Sequence, residues 1–327
     1  MRILSLFSGA GGSCLGWHAA GAEHALCCEW DASAGATLAA AGFPWSSVDL
    51  SDPEALRAAL SPLAGSVDVL EASPPCQAWS SAGSRLGARD PRNGWPWTWE
   101  ACDMVRPRWL VAENVPGLLS HRGDCPTRAG GYAKPMACPG CYWSEVVLEE
   151  ARRRFSWVGW WLLDAADYGV PQHRRRVFLV GGPRQVSPPK PTHGEPATLR
   201  QRGLFGRRRL PWVTMTEALQ LGASTGGNLM IERPAPAVTA QEVKGTRASA
   251  ASGYTFNGGP DRASDMLFMA TGRRRLTVEE VATLQGFPAD HPWKGTKVSR
   301  YRQVGNAVPP QLAEAVARAV MGADDDL

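Results

Sequence analysis

The chain contains 327 residues, of which 44% are hydrophobic and 20% are charged. This composition excludes wholesale disorder, which needs low hydrophobicity and high net charge, and the length fits two domains or one large α/β domain with an insertion. No apolar run approaches the roughly 18 residues of a membrane helix, so we expect no membrane span. The net charge is only +4, but residues 172–209 hold ten Lys or Arg and one Glu. This basic stretch favours a polyanionic partner, although a solvated loop has the same composition.

Short apolar segments alternate with helical patterns over the first 120 residues. The pattern predicts strands at residues 2–6, 25–29, 67–71 and 109–113. It predicts helices at residues 12–20, 32–41 and 53–60, with Asp31 as the cap of the second. Such alternation is typical of a parallel sheet with helices on both faces, and ligands of these folds bind at the carboxyl ends of the strands.

The character of the sequence changes near residue 183. Before this point the pattern predicts a helix at residues 145–155 and strands at 160–163 and 176–180. From about 183 to 272, Pro, Gly, Arg and Thr interrupt short pieces, with one helix predicted at 216–221. A smaller, irregular domain is therefore predicted there, and helical patterns return at residues 277–284 and 310–321.

A glycine-rich loop, residues 7–12, follows the first predicted strand and opens a helix. Glycines in such a loop let the backbone approach a ligand at the helix N-terminus. Glu29 ends the second predicted strand, where a carboxylate commonly accepts hydrogen bonds from ribose hydroxyls, and Asp49 is placed to accept from an adenine amino group. The G-x-G-x-x-G pattern is incomplete because position 14 is Cys. The loop therefore predicts either a nucleotide-like ligand site or a plain tight turn.

Reactive side chains follow the later strands of the predicted sheet. Cys76 lies in a loop stiffened by two prolines, where a thiolate can act as a nucleophile, although buried structural cysteines are common. Glu113 ends an apolar strand, where a raised pKa suits a proton donor, unless it is only a helix cap or a surface acid. Arg174 and Arg176 share one face of a strand, and Arg175 points the other way, towards phosphate or solvent.

A second cluster of cysteines lies between residues 119 and 142. His121, Cys125, Cys138 and Cys141 have the spacing H-x3-C-x12-C-x2-C, and Cys-Pro-Gly-Cys is typical of a metal-binding knuckle. This spacing predicts a structural zinc, and the alternative is a flexible insertion with reduced thiols. The remaining cysteines lie in predicted regular structure and are assigned to packing: Cys14, Cys27, Cys28 and Cys102.

Together, these motifs resemble the C5-cytosine DNA methyltransferases along nearly the whole chain. The matching segments run in family order: residues 7–12, 29–31, 49, 74–77, 113–115, 172–176, 275–277, 285–288 and 303–306. The resemblance implies a Rossmann-like S-adenosylmethionine-dependent methyltransferase fold with a second, smaller, irregular target-recognition domain. A tryptophan-rich run at residues 95–99 lies near the usual cofactor edge, where it either stacks on a base or adenine or packs in the core.

The resemblance also implies roles for individual residues. Cys76 would attack cytosine C6, Glu113 would contact the N3 side of the ring, Arg176 would hold the O2 edge and Arg174 would support the loop. The cofactor would be S-adenosylmethionine, held by Phe7, Gly9, Gly11, Glu29, Trp30, Asp49, Pro75 and Asn306.

The implied organisation has three parts. Residues 1–183 form the catalytic and cofactor domain, with the Cys-rich insertion at about 119–142. Residues 184–272 form the target-recognition domain, and residues 273–327 return to complete the first domain. The implied partner is double-stranded DNA, from which the target cytosine is flipped. We expect a cytoplasmic, nucleoid-associated monomer in a bacterial or phage-infected cell, with a cognate restriction endonuclease as a candidate partner. The alternatives are an RNA-directed relative, a non-enzymatic DNA-binding paralogue and transfer of a modified group.

Overall fold

A computed structural model describes most of the chain, namely residues 1–75, 90–120, 138–196, 209–221, 233–238 and 276–325. The strands of its main sheet are β1 (Arg2–Leu6), β2 (Glu23–Cys28), β3 (Trp45–Ser46), β4 (Val69–Ala72), β5 (Trp109–Asn114), β6 (Trp157–Asp164) and β7 (Arg175–Gly182). The seven strands have the order β3-β2-β1-β4-β5-β7-β6. The first five strands run parallel, so the predicted α/β fold is confirmed.

Helices cover both faces of this sheet, and a further group of helices forms a core of its own. They are α1 (Gly12–Ala19), α2 (Ala32–Ala40), α3 (Pro53–Leu60), α4 (Trp95–Val105), α5 (Pro139–Tyr142), α6 (Leu148–Arg154), α7 (Met215–Ala218), α8 (Val278–Leu284), α9 (Lys297–Asn306) and α10 (Pro310–Asp325). A π-helical turn, Trp143–Val147, joins α5 to α6, and a separate parallel pair is formed by β8 (His193–Gly194) and β9 (Leu210–Pro211). Within the described ranges, no helix is both long and apolar enough to cross a membrane.

The direction of β7 differs from that of the first five strands. β7 pairs antiparallel with both β5 and β6. Residues 165–174 alone connect β6 to β7, and this is too short for the crossover of a dozen or more residues that a parallel pair needs. The first residues of β7 therefore lie beside the last residues of β5, where Val177 pairs with Asn114.

Alternating side chains of the sheet build two cores. Leu4 and Leu70 face a core shared with α3, α4 and α6, whereas Ile3 and Val69 face a core shared with α1 and α10. α10 packs directly on α1, and a Cβ on Gly16 would lie 2.4 Å from the carbonyl oxygen of Pro310. The end of the chain is thus packed against the helix that follows the glycine-rich loop.

Buried amide groups connect the C-terminal part to the rest of the protein. Gln172 is fully buried, and its Nε2 donates to the carbonyl oxygen of Leu284 and to Oε1 of Gln285. Its Oε1 accepts from the backbone N–H of Val238, at 2.7 Å. Because a buried amide is costly unless its hydrogen bonds are made, Gln172 fixes the relative positions of these segments.

His291 lies behind the glycine-rich loop. It is 7% exposed, packs against the rings of Phe287 and Trp293, and its Nε2 lies 3.2 Å from the carbonyl oxygen of Ala10. That oxygen can only accept, so Nε2 carries the proton and donates it. Burial lowers the pKa of His291 to about 4.

We predict that His291 makes the fold acid-sensitive between about pH 6.5 and 4. The pKa of a histidine in an unfolded chain is about 6.5, so the folded state disfavours the charged form. The stabilisation from neutral His291 is fully present above about pH 6.5. It is lost as the pH falls towards 4, and the free energy of unfolding then decreases by roughly 3 kcal/mol in total. His291→Gln keeps an N–H donor without titrating. In urea unfolding, the difference in free energy of unfolding between wild type and this variant should fall from pH 7.5 to pH 4.5.

The matched control for this experiment is His18→Gln, because His18 is exposed. Its difference from wild type measures the effect of removing an exposed imidazole. A difference for His291→Gln that stays constant from pH 7.5 to pH 4.5 would contradict the prediction.

Candidate active site

A cavity of about 270 Å³ opens at the carboxyl ends of β1, β2 and β4. It is lined by Phe7, Cys28, Glu29, Trp30, Val48, Asp49, Leu50, Ser51, Pro75, Pro91, Arg92 and Trp97. Five of the residues predicted to hold a cofactor are among them, namely Phe7, Glu29, Trp30, Asp49 and Pro75. The sequence motifs therefore converge on one pocket.

Glu29 ties the glycine-rich loop to the end of β2. Its two carboxylate oxygens accept hydrogen bonds from the backbone N–H groups of Gly9 and Asp31, each at 2.8 Å. Burial raises the pKa of Glu29, while these N–H groups act in the opposite direction. The carboxylate is thus held in one orientation at the cavity wall.

Positive φ angles shape the glycine-rich loop. Gly9 has φ +54°, and a Cβ there would meet no atom within 4 Å. Gly11 has φ +85°, and a Cβ there would lie 2.9 Å from the side chain of Leu38. Phe7, at φ 57°, adopts the same left-handed region without being glycine, which is a strained conformation typical of functional sites. The loop leaves open space above Gly9.

Aromatic side chains form the walls of the cavity. Trp30 is 73% exposed at its rim, and the ring centroid of Trp97 lies 6.3 Å from that of Phe7. Trp95 and Trp99 instead stack on each other in the core. Core packing is therefore confirmed for Trp95 and Trp99, whereas Trp97 lies on another face of α4 and lines the cavity, where stacking on a ligand stays a prediction.

A polar pair at the cavity was missed in the sequence. Arg92 lines the cavity, and its guanidinium donates to both carboxylate oxygens of Asp90, at 2.8 and 2.7 Å. These hydrogen bonds lower the pKa of Asp90. Neither residue belongs to a recognisable sequence motif. Only the folded structure, in which Arg92 and Trp97 line the same cavity, identifies the pair as part of the site.

Glu113 and Arg176 form an ion pair at the carboxyl end of β5, on the same edge of the sheet as the cavity. Nε of Arg176 lies 2.7 Å from Oε1 of Glu113, and both side chains are largely buried. The antiparallel direction of β7 brings them together, because Glu113 ends β5 and Arg176 begins β7. Burial raises the pKa of Glu113, although Arg176 and Arg174 oppose the shift. A buried carboxyl of this kind can give or take a proton.

Arg174 is 2% exposed and contacts the backbone of distant segments. Its guanidinium donates to the carbonyl oxygens of Val238, Gly305 and Ala307, at 2.7 to 3.0 Å. The last two flank Asn306, which is exposed at the end of α9 and is not part of the cavity's described lining. Arg174 therefore positions this segment.

The loop that continues to the predicted nucleophile is held by β5. Nδ2 of Asn114 donates to the carbonyl oxygen of Pro74 at 3.2 Å, and Pro75 lines the cavity. Cys76, the next residue in the chain, lies outside the described residues.

The predicted zinc ligands are only partly within the described ranges. His121 and Cys125 lie outside them, whereas Cys138 and Cys141 are buried together where α5 begins.

The cysteines that were assigned to packing are all buried. Burial raises the pKa of Cys28 and of Cys102 to about 12, as expected for inert core thiols. Cys14 and Cys27 lie beside His24, and the ligand atoms of these three residues are within 4.8 Å of one another.

The arrangement suits a nucleoside-like ligand beside a proton-exchanging pair. The cavity offers aromatic faces and two acidic side chains, Glu29 and Asp49, at the ends of parallel strands, where such ligands bind. The Glu113–Arg176 pair can hydrogen bond to the edge of a heteroaromatic base.

The chain matches known proteins over almost its full length. The profile of the family described as C-5 cytosine-specific DNA methylase matches residues 1–220 and 232–322. The type II methyltransferase M.NaeI of Lentzea aerocolonigenes is 32% identical, over 99% of this chain and 75% of that protein. The type II methyltransferase M1.HphI of Haemophilus parahaemolyticus is 32% identical, over 98% of this chain and 87% of that protein.

Solved structures share the fold at lower identity. A protein described as a DNA modification methyltransferase encoded within a prophage (E. coli) has a TM-score of 0.63 at 20% identity, covering 99% of both chains. The Dnmt2 methyltransferase of S. pombe has a TM-score of 0.61 at 16% identity, also covering 99% of both chains. The chain therefore belongs to the C-5 cytosine-specific DNA methylase family, and it is a DNA cytosine methyltransferase that uses S-adenosylmethionine.

Proposed function

We propose that the protein methylates C5 of a cytosine that it flips out of duplex DNA, with Cys76 as the nucleophile. The observation that supports this most is the Glu113–Arg176 pair, which lies where β5 also holds the Pro74 carbonyl two residues before Cys76. A base inside a duplex is inaccessible to side chains at such depth, so it must leave the stack.

The cavity fits the cofactor by its shape and its donor set. Glu29 would accept from the ribose hydroxyls, and Asp49 from the adenine amino group, while Phe7, Trp30 and Trp97 would contact the adenine or the sulfonium side chain. Gly9, Gly11 and Asn306 would complete the site through the loop and the end of α9. When bound, S-adenosylmethionine supplies the electrophilic methyl group that C5 receives.

Cys76 and Glu113 would activate the cytosine ring together. The Cys76 thiolate adds to C6, the ring electrons shift towards N3, and N3 takes the proton of the Glu113 carboxyl. C5 then has enamine character and is nucleophilic. After methylation, C5 loses its proton to a base, the Cys76 thiolate is expelled, and N3 returns its proton to Glu113. The ring is aromatic again and both side chains are restored.

Arg176 and Arg174 would position other groups of the site and would not transfer protons. Arg176 holds the Glu113 carboxylate through Nε, and the rest of its guanidinium would donate to the O2 edge of cytosine. Arg174, with its three carbonyl partners, would keep the start of β7 in register beneath it.

We also propose the division of the chain and its partners. Residues 1–183 and 273–327 would form the catalytic domain and 184–272 the target-recognition domain, with the basic segment 172–209 facing DNA phosphates. Relatives named as type II methyltransferases support a cognate restriction endonuclease with the same target site. The protein would act as a monomer, in the cytoplasm at the nucleoid. The alternative substrate is RNA. Methylation assays with duplex DNA and with transfer RNA distinguish the two substrates.

We further propose a structural zinc held by His121, Cys125, Cys138 and Cys141. The burial of Cys138 and Cys141 against each other supports it, because two adjacent thiolates are a common half of such a site. The double variant Cys138→Ser/Cys141→Ser should lose about one zinc per chain in metal analysis of protein never exposed to chelator. Unchanged zinc content would contradict this assignment.

Cys76→Ala should abolish methylation and leave DNA binding nearly intact, because only the attacking sulfur is removed. Bisulfite or nanopore sequencing of DNA from cells that express each variant measures activity, base and sequence context together.

Wild-type protein should also form a covalent adduct with DNA that carries 5-fluorocytosine, since fluorine at C5 blocks the final elimination. Cys102→Ala, which changes a buried thiol of α4, is the control and should retain adduct formation. Turnover by Cys76→Ala would refute the assignment.

Glu113→Gln should reduce kcat by about 10²- to 10⁴-fold, the usual contribution of a positioned acid or base. Binding of target DNA should change little, because Gln keeps the size of the side chain. Single-turnover kinetics and a DNA-binding assay measure the two effects separately. Glu149→Gln, which alters an exposed residue of α6, is the matched control. A kcat for Glu113→Gln within a few-fold of wild type would count against proton donation by Glu113.

A further inference from the structure

Three potential metal ligands meet behind the glycine-rich loop. Cys14 lies in the first turns of α1, and His24 and Cys27 lie in β2. Their ligand atoms are all within 4.8 Å of one another, and the two sulfurs are 3.6 Å apart. Both cysteines are 0% exposed and His24 is 9% exposed. The cluster is therefore enclosed in the core and separate from the cofactor cavity's lining.

A β-bulge puts the two ligands of β2 on the same face. Residues three apart in a regular strand point to opposite faces. The register between β1 and β2 shifts after Ile3, which pairs with His24, while Ser5 pairs with Cys27. Ile3 and Ser5 are two apart and share a face, so their partners do as well. Bulges commonly re-aim a side chain at a functional site, and this one turns His24 towards Cys14 and Cys27.

His24 has a buried nitrogen that the described residues do not satisfy. Its Nε2 is inaccessible to solvent and has no hydrogen-bond partner. Since buried polar atoms in native proteins are nearly always paired, this nitrogen is available to a ligand. Neutral imidazole nitrogen is a preferred ligand of Zn²⁺.

The sulfur separation fits a shared metal ion. Two thiolates bonded to tetrahedral Zn²⁺ at about 2.3 Å lie roughly 3.8 Å apart, close to the observed 3.6 Å. A disulfide would need about 2.05 Å between the same atoms. The separation therefore allows both sulfurs to bind one ion, and without an ion it is that of a thiol–thiol hydrogen bond.

We propose that Cys14, His24 and Cys27 bind one Zn²⁺ ion with a water as the fourth ligand. Binding releases the two thiol protons to solvent, and the two thiolates then balance the charge of the ion. Oγ of Ser5 lies 3.7 Å from the sulfur of Cys14 and donates to Glu71, so this pair is placed to hydrogen bond the water.

The ion would fasten α1 to β2 directly below the cofactor loop. Oγ of Ser8 in that loop hydrogen bonds to Oγ of Ser5, at 3.0 Å, and β2 leads to Glu29, which binds Gly9. Loss of the ion should therefore loosen the loop and weaken cofactor binding without changing any residue of the cavity.

The test measures zinc in the full chain by mass spectrometry of the metal, after expression in zinc-supplemented medium without chelators. Cys14→Ala/Cys27→Ala should lose about one zinc per chain relative to wild type. Cys102→Ala, the matched buried control, should lose none. Cys138→Ser/Cys141→Ser reports on the other proposed site, so the two assignments fail independently. Equal zinc in wild type and Cys14→Ala/Cys27→Ala, or a Cys14–Cys27 disulfide in the folded wild type, would overturn the proposal.

A second measurement does not depend on that variant folding. In the Cys138→Ser/Cys141→Ser background, Co²⁺ should give thiolate-to-metal charge-transfer absorption and the intense visible bands of a four-coordinate ion. The further change His24→Phe, which removes one ligand and keeps an apolar ring in the core, should weaken both. Absence of thiolate-to-cobalt absorption from the folded background protein would refute the site.

Discussion

The buried guanidinium of Arg174 is the constraint on which the rest of this structure depends. A fully buried charge is tolerated only when it is compensated, and three backbone carbonyls compensate this one. Two of them lie at the end of α9 and the third belongs to Val238, so three distant parts of the chain must meet for Arg174 to be satisfied. Removing any of them would take a hydrogen bond from a buried charge, so Arg174 ties the main sheet to the C-terminal segment.

The antiparallel β7 converts this structural requirement into a site. Because β7 starts where β5 ends, Arg176 reaches Glu113 as soon as Arg174 is anchored two residues earlier. The Glu113 carboxyl then lies between opposing influences, with burial raising its pKa and two arginines lowering it. Such a balance suits the proton-transfer role that we propose for Glu113.

The sequence predicts local elements here far better than it predicts their meeting points. The strand at residues 2–6 and the helix at 53–60 are confirmed to the residue, since a buried strand and a proline-led helix each carry their own signal. The direction of β7 was not predicted, because it depends on the length of the connection from β6 more than on hydrophobic pattern. α4 was not predicted as a helix, since proline and three tryptophans at residues 95–99 obscure its period.

Contacts between distant segments could not be predicted from the hydrophobic pattern of the sequence either. Trp97 and Arg92 line the cavity, yet only the folded chain distinguishes Trp97 from its buried neighbours. Simple alternation along a strand puts residues three apart, such as His24 and Cys27, on opposite faces, and a single extra residue in β2 reverses this. Glu29, by contrast, was identified from its place at a strand end, because that position is fixed by the fold class itself.

The glycine-rich loop shows how these constraints combine. On one side, a Cβ on Gly12 would lie 2.2 Å from the carbonyl oxygen of Val308, so glycine at this position lets the C-terminal segment pack closely against the loop. On the other side, the Glu29 carboxylate binds the backbone N–H of Gly9 and holds the loop against the end of β2. The loop near the start of the chain is therefore packed between β2 and residues near the end of the chain. Packing around Arg174 and His291 thus supports the loop from outside the cavity.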